Sequence, residues 1–272
     1  MCHPVRCSRL ILVPLLALAC LAADHSLPNT LTASEQADGF VLLFDGKTMN
    51  GWDDPRLKNP PGDAWAIENG CLKANANPHI TEDLFTKDTF RDFDLRFEWR
   101  ISPRGNSGVK YRIQDHWFVS PGPGTFEETV EGSFQNRRRP SRGQDYVIGF
   151  EYQITDDSLN GDARSNLKHT TGALYDMVAP SRPATRPVGE FNESRIVVRR
   201  SHVEHWMNGV KVVDSALDSP PALEGIKKRW GVAPHVYRLL STQPERDCPI
   251  SLQNHDDQAW FRSIRIRRLG EN

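Results

Sequence analysis

The sequence FDLRFEWRI at residues 93–101 alternates apolar and charged side chains over nine positions. Successive side chains of a β-strand point to opposite faces, so this period of two predicts a strand with one buried and one polar face. The apolar side chains must face a core, whereas the charged side chains must not. No other stretch of the chain has so regular a strand pattern, and the fold prediction starts from it.

Similar signals occur on both sides of this strand. Asn69-Gly70 and Asn208-Gly209 each separate two short apolar stretches, and both residues of such a pair tolerate positive φ, which predicts two β-hairpins. Many short strands with glycine-rich turns are typical of a two-sheet sandwich, so we predict an all-β fold of the jelly-roll type. Further strands are predicted at 40–44, 109–113, 147–154, 195–199, 250–253 and 260–266.

Two longer stretches, 114–146 and 218–248, interrupt the strand pattern. The first is rich in Pro, Gly, Ser and Arg, and no convincing amphipathic helix is found in either stretch or elsewhere after residue 38. Loops of this length in a compact domain are usually functional rims or insertions. We therefore expect both stretches to be irregular.

The composition is that of an ordinary globular protein. Of 272 residues, 25% are charged and 38% are hydrophobic, with a formal net charge of -1. Because no basic stripe accompanies this charge balance, nucleic acid is excluded as an expected partner. The length suits a single large β-sandwich domain, which we place at residues 39–270.

The first residues resemble an export signal. Arg6 and Arg9 precede an apolar run at 10–21, which is too short to span a bilayer, and Ala17-Leu18-Ala19 has the pattern of a cleavage site. We predict a signal peptide at 1–19, a linker at 20–38, and a periplasmic or extracellular protein. Lipidation of Cys20 is the less favoured alternative, because a lipobox usually has Leu where this chain has Ala17. No later segment is expected to cross a membrane.

Two cysteines, Cys71 and Cys248, remain beyond residue 20. They could pair in an oxidising compartment, but they are far apart in sequence and lack the spacing of metal ligands. Two buried thiols are the favoured interpretation.

The sequence FEYQITDD at residues 150–157 contains the candidate site. Phe150 and Tyr152 share one face of the predicted strand, while Glu151 and Gln153 lie side by side on the other. A sheet that displays a carboxylate and an amide in this way is suited to bind a polyol.

These motifs, taken in order, resemble the family of 3-keto-disaccharide hydrolases, also described as 3-keto-glucoside 1,2-lyase/hydratases. The resemblance covers nearly the whole mature chain and implies a concanavalin A-like jelly-roll sandwich. Two departures, a long 114–146 insertion and the residues around the Leu-Gln-x-His motif, bear on substrate choice. The matching motifs are Gly39-Phe40, Leu43 to Lys47, Gly51-Trp52, Phe93 to Leu95, Glu98-Trp99, Asn106 to Val109, Arg112, Gly149 to Ile154, Asp156, Thr171 to Tyr175, Gly189 to Asn192, Asn208-Gly209, Leu252 to His255 and Phe261 to Ile266.

The resemblance implies cleavage of a glycoside whose C3 hydroxyl has been oxidised to a ketone. A base removes the acidified C2 proton, the C1 substituent is expelled by β-elimination, and water then adds to the 2-hydroxy-glucal. This path needs a base, a group that polarises the ketone oxygen and an acid at the leaving oxygen. The candidates are Glu151 as the base, His255 as a proton shuttle and Arg112, whose strand parity points it outward, as the partner of the enolate oxygen.

Each candidate also has a structural alternative. Glu151 could be a solvated strand carboxylate, His255 a structural hydrogen-bonding residue, and Arg112 the partner of a neighbouring glutamate. Arg262 shares the parity of Ile264 and could be a buried, paired arginine rather than a sugar contact. The candidate substrate-binding residues are Asn106, Tyr111, Gln153, Asp156, Tyr175, Asn192 and Arg262.

No cofactor is implied, and a divalent cation is possible but not indicated. Asp156 begins a sequence similar to a calcium loop, but the twelfth position is Leu167 rather than Glu. A non-catalytic carbohydrate-binding module on the same sandwich is the alternative function, and a surface structural domain is the least specific one. A glucanase is disfavoured, because its acidic residues alternate along one strand and Gln153 follows Glu151 here.

Overall fold

The computed structural model describes Met1 and residues 27–53, 62–120, 122–242 and 245–270. Apart from Met1, the predicted leader and Cys20 lie outside the described residues, and export stays a prediction. No helix among the described residues is long and apolar enough to span a bilayer. The described end of the predicted linker packs on the sandwich, since Asn29 Nδ2 donates to the carbonyl of Gly70 at 2.9 Å and Glu35 pairs with Arg265.

The described residues form fourteen strands and five α-helices, and a 3₁₀ turn covers Leu167–His169. The helices are α1 Ala33–Ala37, α2 Phe126–Asn136, α3 Gly161–Ser165, α4 Pro220–Trp230 and α5 Pro234–Thr242. The strands are β1 Val41–Leu42, β2 Trp52–Asp53, β3 Trp65–Glu68, β4 Cys71–Ala74, β5 Ile80–Thr81, β6 Leu84–Thr86, β7 Phe93–Ile101, β8 Asn106–Val119, β9 Gly143–Thr155, β10 Asn192–Arg199, β11 His202–Met207, β12 Val210–Ala216, β13 Ser251–Leu252 and β14 Ala259–Arg268.

The strands form two sheets, which confirms the predicted β-sandwich. The first sheet has the order β12-β11-β10-β7-β14-β4-β3, with β1 paired to β14, and the second has the order β2-β6-β13-β8-β9-β5. Among the described residues, the neighbouring strands pair antiparallel except β5 with β9, which pair parallel. Aromatic side chains from the two sheets meet in the core, where the rings of Phe97 and Tyr152 pack edge to face at 5.8 Å.

Strand β7 has the predicted bounds, and its apolar side chains are buried as expected. One member of its charged face departs from the prediction. Asp94 is fully buried, because Arg195 donates to its two carboxylate oxygens at 2.8 and 2.9 Å, and Arg96 and Arg267 also pair with it. The guanidinium groups replace the water that an exposed carboxylate would bind.

Both predicted hairpins are confirmed. Asn69 and Gly70 join β3 to β4 with φ values of 51° and 74°, and Asn208 and Gly209 join β11 to β12 with φ values of 47° and 80°. Positive φ at both central residues gives the type of turn that matches the twist of the adjoining strands.

The expectation of irregular structure in the two long stretches was wrong. β8 and β9 extend into residues 114–146, which also contain α2, while α4 and α5 lie within 218–248. Helix α2 begins with a capping box, in which Thr125 and Glu128 each accept from the backbone N–H of the other. Val130 is the one buried residue of α2, so that helix has no readable apolar period. The buried residues of α4 and α5 do recur at helical spacing, with Ala222, Ile226 and Trp230 on α4, and the sequence prediction overlooked this period.

Both described cysteines, Cys71 and Cys248, are buried free thiols. Burial raises the pKa of each thiol.

We expect Asp94→Asn to lower the free energy of unfolding by about 2–3 kcal/mol, because three guanidinium groups would lose their buried counter-charge. Urea unfolding at neutral pH measures the change. The control is Asp247→Asn, which removes the half-exposed ion pair with Arg91 and should cost no more than about 0.5 kcal/mol. Equal effects of the two substitutions would contradict this account.

Candidate active site

The second sheet carries a cavity of about 330 Å³ on the face that points away from the core. Strands β8 and β9 pair with Lys110 directly opposite Glu151, and β13 lies on the other side of β8 with Ser251 opposite Lys110. The sheet register therefore brings polar side chains from three strands to one place. The described lining residues are Asn106, Lys110, Phe126, Gln144, Tyr146, Glu151, Gln153, Tyr175, Arg229, Gln253 and His255.

A buried ammonium group forms the floor of the cavity. Lys110 is 3% exposed, and its Nζ lies 3.1 Å from Oδ2 of Asp83, which also accepts from Ser251 Oγ at 3.0 Å. The side-chain amide of Gln253 bridges Lys110 and Glu151. Its oxygen accepts from Lys110 Nζ at 3.1 Å, and its nitrogen donates to Glu151 Oε1 at 3.2 Å. This orientation gives each amide atom a partner of the opposite kind.

The surroundings shift the acidity of these groups. Burial raises the pKa of Glu151 to about 7, although the Lys110 ammonium opposes this rise and Asp83 adds to it. Burial also raises the pKa of Asp83 to about 6. Burial alone would lower the pKa of Lys110, but the carboxylates of Asp83 and Glu151 outweigh it and raise that pKa. Lys110 therefore stays charged, whereas Glu151 changes protonation state near neutral pH.

His255 lies at the edge of the same cavity. Part of its side chain is exposed, yet crowding by protein atoms lowers its pKa below the ordinary 6.5, and the positive charge of Lys110 lowers it further. The cavity thus holds a carboxyl group with a raised pKa and an imidazole with a lowered one. Such a pair of opposite shifts is typical of acid–base sites.

Gly108 leaves the space that the Glu151 side chain fills. A Cβ atom at residue 108 would stand 2.2 Å from Oε1 of Glu151, far inside van der Waals contact. Gly108 lies opposite Gln153 in the ladder, and its carbonyl accepts from the backbone N–H of Gln253 at 2.9 Å. A side chain at residue 108 would therefore displace the Glu151 carboxylate from its place in the cavity.

Arg229 brings a second positive charge to the cavity wall. It comes from α4, donates to Asp176 Oδ2 at 3.2 Å and lies 4.9 Å above the ring of Tyr175. Behind it, His169 lies between Asp162 Oδ1 at 2.8 Å and Asp176 Oδ1 at 3.0 Å, and these carboxylates outweigh burial and raise its pKa. The charges behind the wall hold Arg229 and Tyr175 in place.

The structure brings five of the predicted site residues together. Glu151, His255, Gln153, Asn106 and Tyr175 all line the cavity. Asn106 Oδ1 accepts from Gln153 Nε2 at 3.2 Å, so these two amides form one polar edge.

The predicted position of Arg112 is wrong. A bulge between Tyr111 and Asp115, with a φ of 52° at Arg112, breaks the strand parity on which the prediction rested. Arg112 is 2% exposed and donates to Asp92 Oδ1 at 2.9 Å and to the carbonyl of Arg200 at 2.8 Å. It is a structural ion-pair residue outside the cavity.

Tyr111 is also misplaced by the sequence prediction, since it points into the core. Its hydroxyl is hydrogen-bonded to His205 Nε2 at 2.9 Å, and the side chain is fully buried. Burial lowers the pKa of His205 to about 4, so the neutral ring accepts from Tyr111 while its other nitrogen donates to the carbonyl of Gly172.

Three further candidates lie elsewhere. Asp156 accepts from the backbone N–H of Arg104 at 2.8 Å and fixes a turn, and Asn192 accepts from the backbone N–H of Arg186 at 2.7 Å. Both line a separate cavity of about 290 Å³. Arg262 lies on the first sheet, where it pairs with Glu98 at 2.7 Å, because a bulge after it changes the parity of β14.

Sequence reasoning missed several residues of the cavity. Lys110 alternates with the apolar Val109 and Tyr111, so it is expected on the outer face of its strand, and Gln253 lies in the Leu-Gln-x-His motif. Both residues could therefore have been predicted from the sequence. Phe126 and Arg229 come from helices in the stretches expected to be irregular. The helix of Phe126 has no apolar period, whereas that of Arg229 has one that was overlooked. Asp83, which does not line the cavity but pairs with Lys110 behind it, precedes a short buried strand and has no distinguishing pattern.

The described residues include a group of three possible metal ligands, His202, Glu204 and Asp214, on the other sheet. Lys211 Nζ contacts Glu204 Oε1 at 3.2 Å and pairs with Asp214. An ammonium group thus already neutralises these carboxylates.

Comparisons with known proteins agree with this architecture. Residues 39–267 match the family described as 3-keto-alpha-glucoside-1,2-lyase-like domain. A Bacteroides thetaiotaomicron protein named 3-keto-disaccharide hydrolase is 29% identical over 257 residues, which cover 89% of this chain and 82% of that protein. Two candidate glycosyl hydrolases of Parabacteroides distasonis share the fold. One has a TM-score of 0.65 at 24% identity, covering 90% of this chain and all of that one, and the other has a TM-score of 0.58 at 21% identity, covering 85% and 99%.

The raised pKa of Glu151 predicts a pH-dependent stability. Glu151 binds its proton more tightly in the folded protein, where its pKa is about 7, than in the unfolded chain, where its pKa is 4.5. The protein therefore loses stability as the pH rises from 4.5 to about 7. Glu151→Gln lacks this loss, so its free energy of unfolding relative to wild type should increase by about 3 kcal/mol between pH 4.5 and pH 8. Urea unfolding of both proteins at the two pH values measures it, and a constant difference would contradict the assignment.

Proposed function

Since the chain belongs to the 3-keto-alpha-glucoside-1,2-lyase-like domain family, we propose that it cleaves 3-keto-glucosides by β-elimination across C1 and C2, followed by hydration. The family match and the Bacteroides relative support a glycoside hydrolase-like enzyme of the hydrolase type. One observation carries the finer proposal: Glu151, with a pKa of about 7, lies beside a buried ammonium group in a cavity suited to a small ligand.

Glu151 is the proposed base. A ketone at C3 acidifies the proton on C2, and a carboxylate with a raised pKa is a stronger base than an ordinary one. Because the pKa lies near neutrality, a large fraction of the group is ionised at pH 7 and ready to accept this proton. Gly108 leaves the space that this carboxylate needs.

Lys110 and Arg229 supply the positive charge that the elimination needs. Removal of the C2 proton places negative charge on the C3 oxygen, and fixed cations in a water-poor site stabilise such charge. Asp83 keeps Lys110 ionised, and Asp176 holds Arg229 at the wall. These two residues take the role that the sequence prediction gave to Arg112.

His255 is the proposed acid. As the bond between C1 and the leaving oxygen breaks, imidazolium donates its proton to that oxygen, and a lowered pKa makes it a strong donor. Neutral His255 then takes a proton from the water whose oxygen adds to C1. Glu151 returns its proton to C2, so both groups regain their starting states and the net reaction is hydrolysis.

The carboxylates do not fit the mechanism of an ordinary glycosidase. That mechanism requires two carboxyl groups on either side of the scissile bond, about 5–10 Å apart. Among the described residues that line the cavity, Glu151 is the one carboxyl group. Asp83 is buried and bonded to Lys110 and Ser251. A pure binding module would have no need for the raised pKa of Glu151.

The test of function is a matched pair of substrates. Wild-type protein should release the leaving group from a 3-keto-glucoside and leave the parent glucoside intact, as followed by chromatography of the products. Glu151→Gln should lower kcat by about 10²–10⁴-fold, because it removes the base. Glu193→Gln, which alters an exposed carboxylate on the first sheet, is the control and should keep wild-type rates. Turnover of both substrates, or of neither, would refute the proposal.

The pH profile tests the two roles separately. The active form has Glu151 ionised and His255 protonated. The kcat/KM of wild type should therefore follow a narrow bell-shaped pH profile, with its maximum between the lowered pKa of His255 and the pKa of Glu151 at about 7. In His255→Asn the falling limb should disappear, leaving a weaker activity that rises through about pH 7. A bell that survives this substitution would show that another group is the acid.

A further inference from the structure

A second and larger cavity adjoins the proposed catalytic cavity. It encloses about 570 Å³, and Phe126, Gln144 and His255 line both cavities. The residue proposed to protonate the leaving oxygen therefore lies at the junction of two spaces. A bond cleaved beside His255 would have its sugar donor on one side and its leaving group on the other.

Phe126 presents an aromatic surface at this junction. Phe126 is the first residue of α2 and is 39% exposed. Its ring packs edge to face on the ring of Tyr146 at 5.1 Å and lies 6.4 Å from the ring of Trp230. These contacts fix the ring while leaving part of it uncovered. A fixed and partly exposed aromatic ring is suited to stack against the apolar face of a sugar.

Helix α2 is held rigidly enough to act as a wall. The ring of Phe134 stacks on His235 of α5 at 3.3 Å, and Glu131 accepts from the backbone N–H of His235 at 3.1 Å. Trp117 of β8 donates to the carbonyl of Val130 at 2.9 Å. The helix is thus tied both to α5 and to the sheet that carries the catalytic cavity.

The remaining lining of the second cavity is partly apolar, with Pro78 and Val119, and partly polar with mixed charge. His79, Thr129 and Gln144 offer hydrogen-bonding groups, while Arg142 and Asp256 contribute opposite charges. Neither sign dominates, so the lining suits a neutral ligand with several hydroxyl groups better than an anion or a purely apolar group.

We propose that the second cavity is the subsite of the leaving group and that Phe126 is the residue that determines its specificity, by stacking against a sugar ring there. The inference rests on the proposed function, because it takes the catalytic cavity as the place of the 3-keto ring. It assigns a role to the 114–146 insertion, since α2 lies within it and supplies the wall.

The experiment compares binding of two ligands that share the 3-keto-glucosyl ring, a 3-keto-disaccharide and methyl 3-keto-glucoside. Glu151→Gln serves as the background, so that the ligands are not consumed during calorimetry. Adding Phe126→Ala should weaken binding of the disaccharide about tenfold, through loss of the stacked surface, and leave the methyl glycoside unchanged. Phe126→Leu, which keeps apolar bulk, should give an intermediate loss and guards against misfolding of the alanine variant.

Val232→Ala is the matched control, because Val232 is exposed and lines neither cavity. Equal weakening of both ligands, no weakening of either, or failure of both to bind would overturn the inference. Failure of the proposed function is distinguishable from this, because wild type would then turn over neither keto compound even if the difference in binding persists.

Discussion

The candidate site depends on one buried charge, the ammonium group of Lys110. A charge that is taken out of water must be paired and hydrogen-bonded, and Asp83, Ser251 and Gln253 together provide this. The ammonium in turn limits how far burial can raise the pKa of Glu151. Without it, the carboxyl group would stay protonated over a wider pH range and would be a poorer base at neutrality.

The regular part of the fold follows from strand parity. The alternation at residues 93–101 and the parity of Phe150 and Tyr152 correctly assign the buried face, and the Asn-Gly pairs correctly locate two hairpins. The same parity puts Glu151 and Gln153 on the outer face, where the cavity lies. These predictions succeed because they depend on local geometry with a fixed period of two.

Prediction failed where that period is interrupted. Bulges at Arg112 and after Arg262 redirect both arginines, and one or two extra residues in a strand leave little trace in the sequence. The helix that supplies Phe126 buries only Val130 and shows no helical period. The helix that supplies Arg229 does bury residues at helical spacing, and the sequence prediction overlooked it. The pairing of Lys110 with Asp83 depends on which strands become neighbours, and a linear pattern does not contain that information.

The clash that a side chain at residue 108 would make with Glu151 also limits how this protein can change over generations. A replacement of Gly108 displaces the carboxylate while Glu151 is present, but becomes sterically harmless once residue 151 has been shortened. The order in which substitutions arise at the two positions therefore matters. In a descendant with a bulkier residue at 108 and a shorter one at 151, we expect that Glu151 was replaced before Gly108.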